Sequence, residues 1–342
     1  MAHAQDMKTY FRAIPQFDAA QPDDAMPLAG GWAWFAEVEV LRRGQAPEII
    51  PAKDVDREAL ALITETRGTV AGLDMADPQV MGILNVTPDS FSDGGEFNAP
   101  DAAIARVQDM ATQGATIIDI GGESTRPGAS HVAIAEEIAR TAPVIAAVTA
   151  KSDVPISIDT RKAPVARGAL VSGATLVNDV SGFTWDGDLA PLAAEAGAPV
   201  CVMHAQGDPA TMQDDPTYDD VLLDVFDFLE AQVSYLIGLD IPRTDILVDP
   251  GIGFGKTLAH NLALLARLSL FHSLGCPILL GASRKRFIGT LSNTADAQDR
   301  MPGSVAVALA GVAQGAQVLR VHDVAETTQA LTLWQAVTKG MA

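Results

Sequence analysis

The chain is poor in cysteine and in aromatic residues, and it has no long apolar run. Only 2 of its 342 residues are cysteine, which excludes a disulfide framework. Aromatic residues make up 5% of the chain against 48% hydrophobic residues, a profile typical of α/β proteins. No uninterrupted apolar run is long enough to span a bilayer, and residues 1–17 lack the apolar core of a secretory signal. These absences predict a cytoplasmic protein with reduced thiols and no membrane partner.

Basic residues are also scarce. The formal net charge is −20, and the longest basic cluster is Arg284-Lys285-Arg286. A strongly acidic surface repels phosphate backbones, so we expect no nucleic-acid partner. A phosphorylated ligand would need a few local cations to overcome this field.

From residue 80 onward, one unit recurs: a short apolar strand, a polar residue at its end, a turn and a helix. The predicted strands are residues 80–86, 116–120, 155–158, 175–178, 199–203, 246–248, 277–280 and 317–321. Helical spacing of apolar residues marks 102–113, 134–149, 218–239 and 261–271. Eight such units predict a (β/α)₈ TIM barrel. An open doubly wound sheet is the alternative, and it is less favoured because polar residues follow nearly every strand.

Residues 1–78 do not follow this rhythm. They predict a strand at 32–40, a second strand at 48–51, and a helix at 54–66 with Asp54 as its N-cap. We therefore predict a small N-terminal α/β extension over residues 1–78, of unknown role, and a catalytic barrel over residues 79–342.

The most informative stretch is residues 80–95, VMGILNVTPDSFSDGG. Its apolar run ends in Asn85, and a polar, hydroxyl-rich loop follows at the carboxyl end of the predicted strand. In α/β folds the chemistry is found at this end of the strands. An amide oxygen followed by hydroxyl and carboxylate groups suits an oxyanion held with Mg²⁺.

Polar residues at the other strand ends would converge in a barrel. Any one of them alone is more often a helix cap or turn residue than a catalyst. Together they would surround one ligand, and they are Asn85, Asp159, Asn178, Asp249, Lys285 and Arg320. Two carboxylates and an amide suit a flat heterocycle with adjacent N–H donors, whose faces Met203 and Phe254 would cover. Arg126, Asn85 and His322 suit phosphate oxygens.

These segments together resemble the dihydropteroate synthases, of the pterin-binding (β/α)₈ group. The resemblance runs from residue 80 to about 330, in order, through MGILNVTPDSFSDGG, GATIIDIGGESTRPGA, PISIDT, VNDVSG, PVCVMH, ILVDPGIGFGK, GASRKRFIG and GAQVLRVHDV. It implies condensation of 6-hydroxymethyl-7,8-dihydropterin diphosphate with p-aminobenzoate, giving 7,8-dihydropteroate and diphosphate. It also implies Mg²⁺ as cofactor, an SN1-like course and a homodimer.

The resemblance further implies roles for individual residues. The pterin positions are Asp159, Asn178, Asp249 and Lys285, lined by Met203 and Phe254, with Arg320 stacked on the ring. Diphosphate would contact Asn85, Arg126, Arg320 and His322, with Asn85 also on the metal. Thr125, Arg126, Pro127 and Phe91 would help to form the aminobenzoate pocket, and the carboxylate of that substrate would lie near a helix opening at Ser283. Asp249, Lys285, Asp159 and Arg126 are the predicted catalytic residues.

Two other functions use the same fold. A pterin-binding methyltransferase domain would need the Asp159 and Asn178 cradle but no diphosphate site, and the TPDSF, STRPG and RVH segments argue against it. A non-catalytic pterin-binding paralogue is the second alternative. Every matched polar position is retained here, which favours an enzyme.

Overall fold

The first elements of the chain form a small antiparallel sheet beside a short helix. The computed structural model of the protein describes residues 8–86, 99–124, 131–207 and 212–340, with only the backbone at 99 and 100. The N-terminal elements are β1 (Tyr10–Ala13), β2 (Met26–Pro27), β3 (Trp34–Phe35), β4 (Glu37–Leu41), β5 (Glu48–Pro51), α1 (Arg57–Thr64), β6 (Thr69–Val70) and β7 (Leu73–Asp74). Strand β4 lies between β1 and β5, while β2 pairs with β3 and β6 with β7, all antiparallel.

The local predictions for this region hold in part. The predicted strand at 48–51 is β5. The predicted strand at 32–40 is divided into β3 and β4, because the two halves pair with different neighbours. Asp54 is not the cap of α1, since it lies in a 3₁₀ turn (Ala52–Asp54). The cap is Asp56, whose carboxylate accepts the Ala59 N–H at 2.9 Å.

Eight parallel strands then close into a barrel, as predicted. They are β8 (Gln79–Asn85), β9 (Ile117–Gly121), β10 (Ile156–Asp159), β11 (Leu176–Asp179), β12 (Val200–Met203), β13 (Ile246–Asp249), β14 (Leu279–Leu280) and β15 (Val318–Val321). Seven neighbouring pairs form ladders, and a parallel bridge between Val248 and Ile278 joins β13 to β14. The ring is therefore complete, which excludes the open doubly wound sheet.

Helices between and after these strands form the outer layer. They are α2 (Ala99–Thr112), α3 (Ile134–Thr149), α4 (Ala163–Val171), α5 (Leu189–Ala196), α6 (Val221–Gly238), α7 (Leu258–Ala266), α8 (Arg286–Ser292), α9 (Met301–Val312) and α10 (Val324–Lys339). Helix α3 has the predicted bounds. The helix predicted at 261–271 is instead α7 followed by a 3₁₀ turn (Leu268–Leu274), because α7 stops at Arg267, outside helical geometry with φ −128°.

The barrel interior is apolar near the amino ends of the strands. Seven strands contribute one buried side chain each: Met81, Ile117, Leu176, Cys201, Leu247, Leu279 and Val318. Val70, Leu73 and Met75, from the β6–β7 hairpin and the residue after it, pack against this layer and close the barrel from below. Residues 69–75 thus contribute to the barrel core, although they lie in the predicted extension.

The rest of the N-terminal region packs on the barrel flank through buried polar contacts. Glu39 of β4 is 6% exposed. Its carboxylate lies 2.6 Å from Arg12 Nε and 3.0 Å from Arg267 NH2, so it links the N-terminal sheet to the segment after α7. The Trp32 indole donates to the Val312 carbonyl of α9 at 3.0 Å.

Within the described residues, no helix combines the length and the apolar character that crossing a membrane requires.

Candidate active site

Polar side chains lie one layer above the apolar interior, toward the carboxyl ends of the strands. Side chains of a strand alternate between its two faces, so a residue two positions after an interior residue also points into the barrel. Asp119 follows Ile117 in this way, and Arg320 follows Val318. In the same way, Asn178, Met203 and Asp249 stand two positions after interior residues, which are Leu176, Cys201 and Leu247. Barrel closure therefore brings these groups together in one cavity.

Arg320 joins two carboxylates across this cavity. Its Nε lies 2.6 Å from Asp119 Oδ2, and its NH2 lies 2.8 Å from Asp159 Oδ2. The Asn178 amide donates to Asp119 Oδ2 at 3.2 Å. We refer to Asp119, Asp159, Asn178 and Arg320 as the lumen cluster. Asp119 Oδ1 is buried without a hydrogen-bond partner in the described part of the chain, so this cluster has acceptor capacity left for a ligand.

Asp119 is a site residue that the sequence reasoning missed. The polar residues selected from the sequence stood at strand ends, whereas Asp119 stands two positions before the end of β9 and is fully buried. The available signal was the alternation itself: an aspartate within the apolar run Ile117–Gly121 has its side chain in the interior of the barrel.

Burial shifts the protonation equilibria of this cluster. It raises the pKa of Asp159 to about 7, although the nearby Arg320 guanidinium opposes the shift. Burial works against the charge of Arg320, but the Asp119 and Asp159 carboxylates outweigh it and raise the pKa of Arg320 above its usual value. Arg320 is therefore a fixed cation, and Asp159 can change its charge near neutral pH.

Asp249 and Lys285 form the opposite wall of the cavity. Asp249 Oδ1 accepts the Gly251 N–H at 2.7 Å. A Cβ placed on Gly281 would lie 3.4 Å from Asp249 Oδ2 and 3.9 Å from Arg320 Cδ, which places Asp249 and Arg320 on either side of this residue. Burial raises the pKa of Asp249 and lowers the pKa of Lys285 to about 8.

Lys285 also contacts the turn after β13. Its ammonium donates to the Ile252 carbonyl and lies 4.5 Å from the centre of the Phe254 ring. A cation over an aromatic face is attracted by the ring quadrupole. The contact fixes Phe254 beside the cavity, and Met203, 3% exposed, lines it from β12 in register with Asp249.

Asn85, Ser283 and His322 lie at the rim. A Cβ on Gly121 would lie 3.7 Å from Asp159 Oδ2 and 3.8 Å from Asn85 Oδ1, which places Asn85 beside the lumen cluster. Ser283 Oγ accepts the His322 backbone N–H at 3.2 Å and contacts His322 Nδ1 at 3.0 Å. If the hydroxyl donates to Nδ1, the proton of the neutral imidazole is on Nε2.

The structure brings together most of the predicted site residues. Ten of them are described, and all belong to the cavity or its rim: Asn85, Asp159, Asn178, Met203, Asp249, Phe254, Ser283, Lys285, Arg320 and His322. The predicted site residues Phe91, Thr125, Arg126 and Pro127 lie outside the described residues. The helix predicted to open at Ser283 begins instead at Arg286, because Arg284 has a left-handed backbone (φ 58°) that interrupts the helix.

The protein donors suit a magnesium ion that arrives with a phosphorylated ligand. Among the described residues, no group of three or more His, Cys, Asp or Glu side chains could hold a metal ion. The Asn85 amide oxygen is a hard donor of the kind that Mg²⁺ accepts. Mg²⁺ in phosphate sites commonly keeps several waters and few protein ligands, so a single amide oxygen beside phosphate oxygens fits this chemistry.

A second set of buried charges lies behind the cavity. Glu123, Glu137, Arg161 and Lys162 are referred to as the flank cluster, and all are 7% exposed or less. Lys162 Nζ lies 2.6 Å from Glu137 and 3.2 Å from Glu123, which also lies 3.1 Å from Arg161 NH2. The Val132 N–H donates to Glu123 at 2.8 Å, and Lys162 donates to the Val132 carbonyl at 2.6 Å. Two anions and two cations balance in this cluster.

The cavity can therefore bind a neutral planar ligand on one side and an anion on the other. Carboxylate and amide oxygens accept N–H donors from such a ligand, and Met203 and Phe254 supply apolar contacts for its faces. Arg320, Lys285 and the His322 imidazole lie where negative charge would be stabilised. This combination suits the departure of an anionic leaving group from a heterocycle.

Comparison with known proteins agrees with this geometry. A family model described as pterin binding enzyme matches residues 81–322. The dihydropteroate synthase of Escherichia coli (strain K12) is 48% identical over 264 residues, covering 77% of this chain and 93% of the relative. The dihydropteroate synthase of Synechocystis sp. is 47% identical over 250 residues, covering 73% of this chain and 86% of the relative.

Solved structures are similar over the same region. The Yersinia pestis dihydropteroate synthase in complex with a sulfonamide drug has a TM-score of 0.74 at 48% identity, covering 79% of this chain and 98% of that one. The Xanthomonas albilineans enzyme with 4-aminobenzoic acid has a TM-score of 0.73 at 46% identity, with coverages of 78% and 96%. Its complex with 7,8-dihydropteroate has a TM-score of 0.71 at 42% identity, with coverages of 78% and 95%.

Proposed function

The chain belongs to the pterin-binding enzyme family, and we propose that it is a transferase of folate biosynthesis that acts as a dihydropteroate synthase. It joins 6-hydroxymethyl-7,8-dihydropterin diphosphate to p-aminobenzoate and releases 7,8-dihydropteroate and diphosphate. The observation that carries this proposal is the lumen cluster, where two carboxylates and an amide face one cavity and Asp119 Oδ1 has no partner in the described structure.

Recognition of the pterin follows from these acceptors. The ring and its amino group carry adjacent N–H donors, and Asp159, Asp119 and the amide oxygen of Asn178 can accept them. For this to occur, the Arg320 guanidinium moves off Asp159 and lies against the ring face, where its planar cation stacks. Met203 and Phe254 enclose the ring.

The bond changes balance as a substitution at the pterin methylene. The methylene C–O bond breaks, and its electron pair leaves with the diphosphate. The nitrogen lone pair of the aminobenzoate then forms the C–N bond, and the nitrogen releases one proton to solvent. An aryl amine is a weak base, so it attacks without a strong general base. An ionised Asp249 against the ring stabilises the methylene cation of this SN1-like course.

The rim residues hold the leaving group. The Nε2–H of His322 donates to a diphosphate oxygen once Ser283 fixes the imidazole, and Arg320 adds positive charge. Asn85 would bind a magnesium ion carried by the diphosphate, and that ion would neutralise the charge that grows on the leaving oxygens. The roles of Arg126 on diphosphate, and of Thr125, Pro127 and Phe91 in the aminobenzoate pocket, stay predictions for residues outside the described structure.

The aminobenzoate lies beside Phe254 and Lys285 in this proposal. The aminobenzoate ring would pack on the face of Phe254. The Lys285 ammonium, which lies over the Phe254 ring, would be near the substrate carboxylate together with Ser283. In the resemblance to the dihydropteroate synthases, Arg286 stands where some relatives carry a hydroxyl residue, and Ala205 stands where many carry Met. Neither removes a donor or acceptor that the proposal uses.

The proposal is tested by mixing the full chain with the pterin diphosphate, p-aminobenzoate and Mg²⁺ and following 7,8-dihydropteroate. We expect product and diphosphate in equal amounts. A sulfonamide should compete with p-aminobenzoate, and a chelator should stop diphosphate release. Methyl transfer from methyltetrahydrofolate to a corrinoid protein, without dihydropteroate formation, would instead identify the methyltransferase alternative.

A homodimer and a cytoplasmic location complete the proposal. Helices α8 and α10 expose Leu291, Leu333 and Val337, which are 56%, 60% and 81% exposed, and exposed apolar side chains support association of two copies. Sedimentation of the full chain would measure the oligomeric state. Both cysteines are free and buried, which accords with a reducing compartment.

A further inference from the structure

Lys256 is a buried lysine that the proposed reaction does not use. It lies after β13, and only 3% of its surface is exposed. Its amine is 2.8 Å from His204 Nδ1, 3.0 Å from the Phe254 carbonyl and 3.3 Å from the His204 carbonyl. None of the ion pairs among the described residues includes it. A lysine whose partners are two backbone carbonyls and an imidazole joins two stretches of main chain.

Those two stretches touch along their backbones. One is residues 203–206, at the end of β12, and the other is residues 249–256. A Cβ on Gly251 would lie 1.8 Å from the His204 carbonyl oxygen, and one on Gly255 would lie 2.3 Å from that of Gln206. Both glycines have positive φ, 68° and 61°. The contact is thus too close for any side chain, and the Lys256 amine lies 3.3 Å from the same His204 carbonyl oxygen.

Each stretch carries one wall of the cavity. Met203 begins the first stretch, in register with Asp249, and Phe254 lies on the second, under the Lys285 ammonium. We propose that Lys256 is a positioning residue, whose amine ties the His204 carbonyl to the Phe254 carbonyl and thereby sets the distance between the Met203 and Phe254 walls of the pterin pocket. This inference rests on the proposed function, because it names the pterin as the group whose fit depends on that distance.

Packing alone does not explain a lysine at this position. A methionine has similar length and would fill the same space without burying an amine. Burial also lowers the pKa of Lys256 well below its usual value, as expected for an amine far from water. What an apolar side chain cannot supply is the N–H donors to the two carbonyls, and leaving buried carbonyls unpaired costs free energy.

The test is Lys256→Met in the full chain, with the exposed Lys151→Met as the matched control. We expect KM for the pterin diphosphate to rise about 10-fold, since a tenfold change is the loss of roughly one hydrogen bond. KM for p-aminobenzoate should change less than about threefold, because only one wall of that pocket moves. Lys151→Met should match the wild type.

Calorimetric binding of the pterin diphosphate, without p-aminobenzoate, separates the two proposals. If the wild type binds this ligand but forms no dihydropteroate, the proposed function fails, and the weaker binding of Lys256→Met still tests the positioning role. Unchanged binding in the variant overturns that role. Equal losses for both substrates with a lower Tm also overturn it, since they indicate a general structural defect. If Lys256→Met does not fold, Lys256→Leu, which also lacks an N–H donor, is measured in its place against the same criteria.

Discussion

The lumen cluster and the flank cluster are both sets of buried charges near the carboxyl ends of β9 and β10, yet they differ in charge balance. Both take residues from β9 and β10 or the segments that directly follow them. In the flank cluster, Glu123 and Glu137 pair with Arg161 and Lys162, and the Val132 backbone and the Thr160 hydroxyl add hydrogen bonds. In the lumen cluster, two carboxylates share one guanidinium, and Asp119 Oδ1 accepts nothing from the described residues.

This difference in charge balance distinguishes a cluster that supports the structure from one that can bind a ligand. A buried set in which every carboxylate has a cation partner holds its segments in place and leaves few acceptors for a ligand. A set with excess acceptors carries a cost in the free protein, which a ligand with N–H donors relieves. The pKa directions agree: burial raises the pKa of Asp159 to about 7, whereas the Val132 N–H and the two cations lower the pKa of Glu123 despite its burial.

The largest expected effect is that of Asp159→Asn. Asparagine is neutral and has one acceptor oxygen, so it cannot replace the charged carboxylate that accepts the N–H donors of the pterin. We expect kcat/KM for the pterin diphosphate to fall about 1000-fold, roughly 4 kcal/mol. Stability should not fall. The raised pKa means that the folded state loses stability as pH rises from the unfolded value toward 7, and the asparagine removes that loss. Steady-state kinetics and Tm at pH 8 check both parts, and a Tm several degrees below wild type would contradict the comparison.

Lys162→Met should have the opposite effect, with a large loss of stability and a small change in activity. It leaves Glu137 and Glu123 short of a cation in a buried site, and we expect the free energy of unfolding to fall by about 3 kcal/mol. The kcat of the folded enzyme should change far less than in Asp159→Asn. Urea unfolding and kinetics measure the two quantities. Adding Glu137→Gln should restore part of the stability, and a double variant no more stable than Lys162→Met would show that charge imbalance is not the cause.

The smallest effect concerns pH. Asp159 must be ionised to accept the ligand, and its pKa is about 7; Lys285 must be protonated, and its pKa is about 8. We therefore expect kcat/KM to be bell-shaped, falling about 10-fold per pH unit below 7 and above 8. Lys285→Arg should move only the alkaline limb to higher pH. A flat profile between pH 6 and 9 would show that Asp159 and Lys285 do not titrate as their burial indicates.

Much of the site was predictable because each barrel strand is a short apolar run with a polar residue at its carboxyl end. Asp159, Asn178 and Asp249 each end a short apolar run, and the closed ring of parallel strands then makes those ends neighbours. Asp119 was harder, since it lies inside an apolar run and only the alternation of side chains shows that it faces the interior.

Other features needed contacts between segments far apart in sequence. Nothing in residues 69–75 marks them as the floor of the barrel, because their partners come from seven strands along the chain. The bridge made by Lys256 depends on two turns, 203–206 and 249–256, that meet only in the folded molecule. The backbone of Arg284 lies in the left-handed region, and α8 therefore begins at Arg286 and not at Ser283.

By itself, the order of apolar runs and polar strand ends determined the barrel, the family and most of the cavity residues, because these follow from periodicity and from motifs that are local in the chain. Only the tertiary structure decided which buried charges are balanced and which are left with free acceptors. Charge balance depends on distances between side chains of different strands, such as that from Arg320 to Asp119 and Asp159. Those distances exist only once the ring of strands has closed.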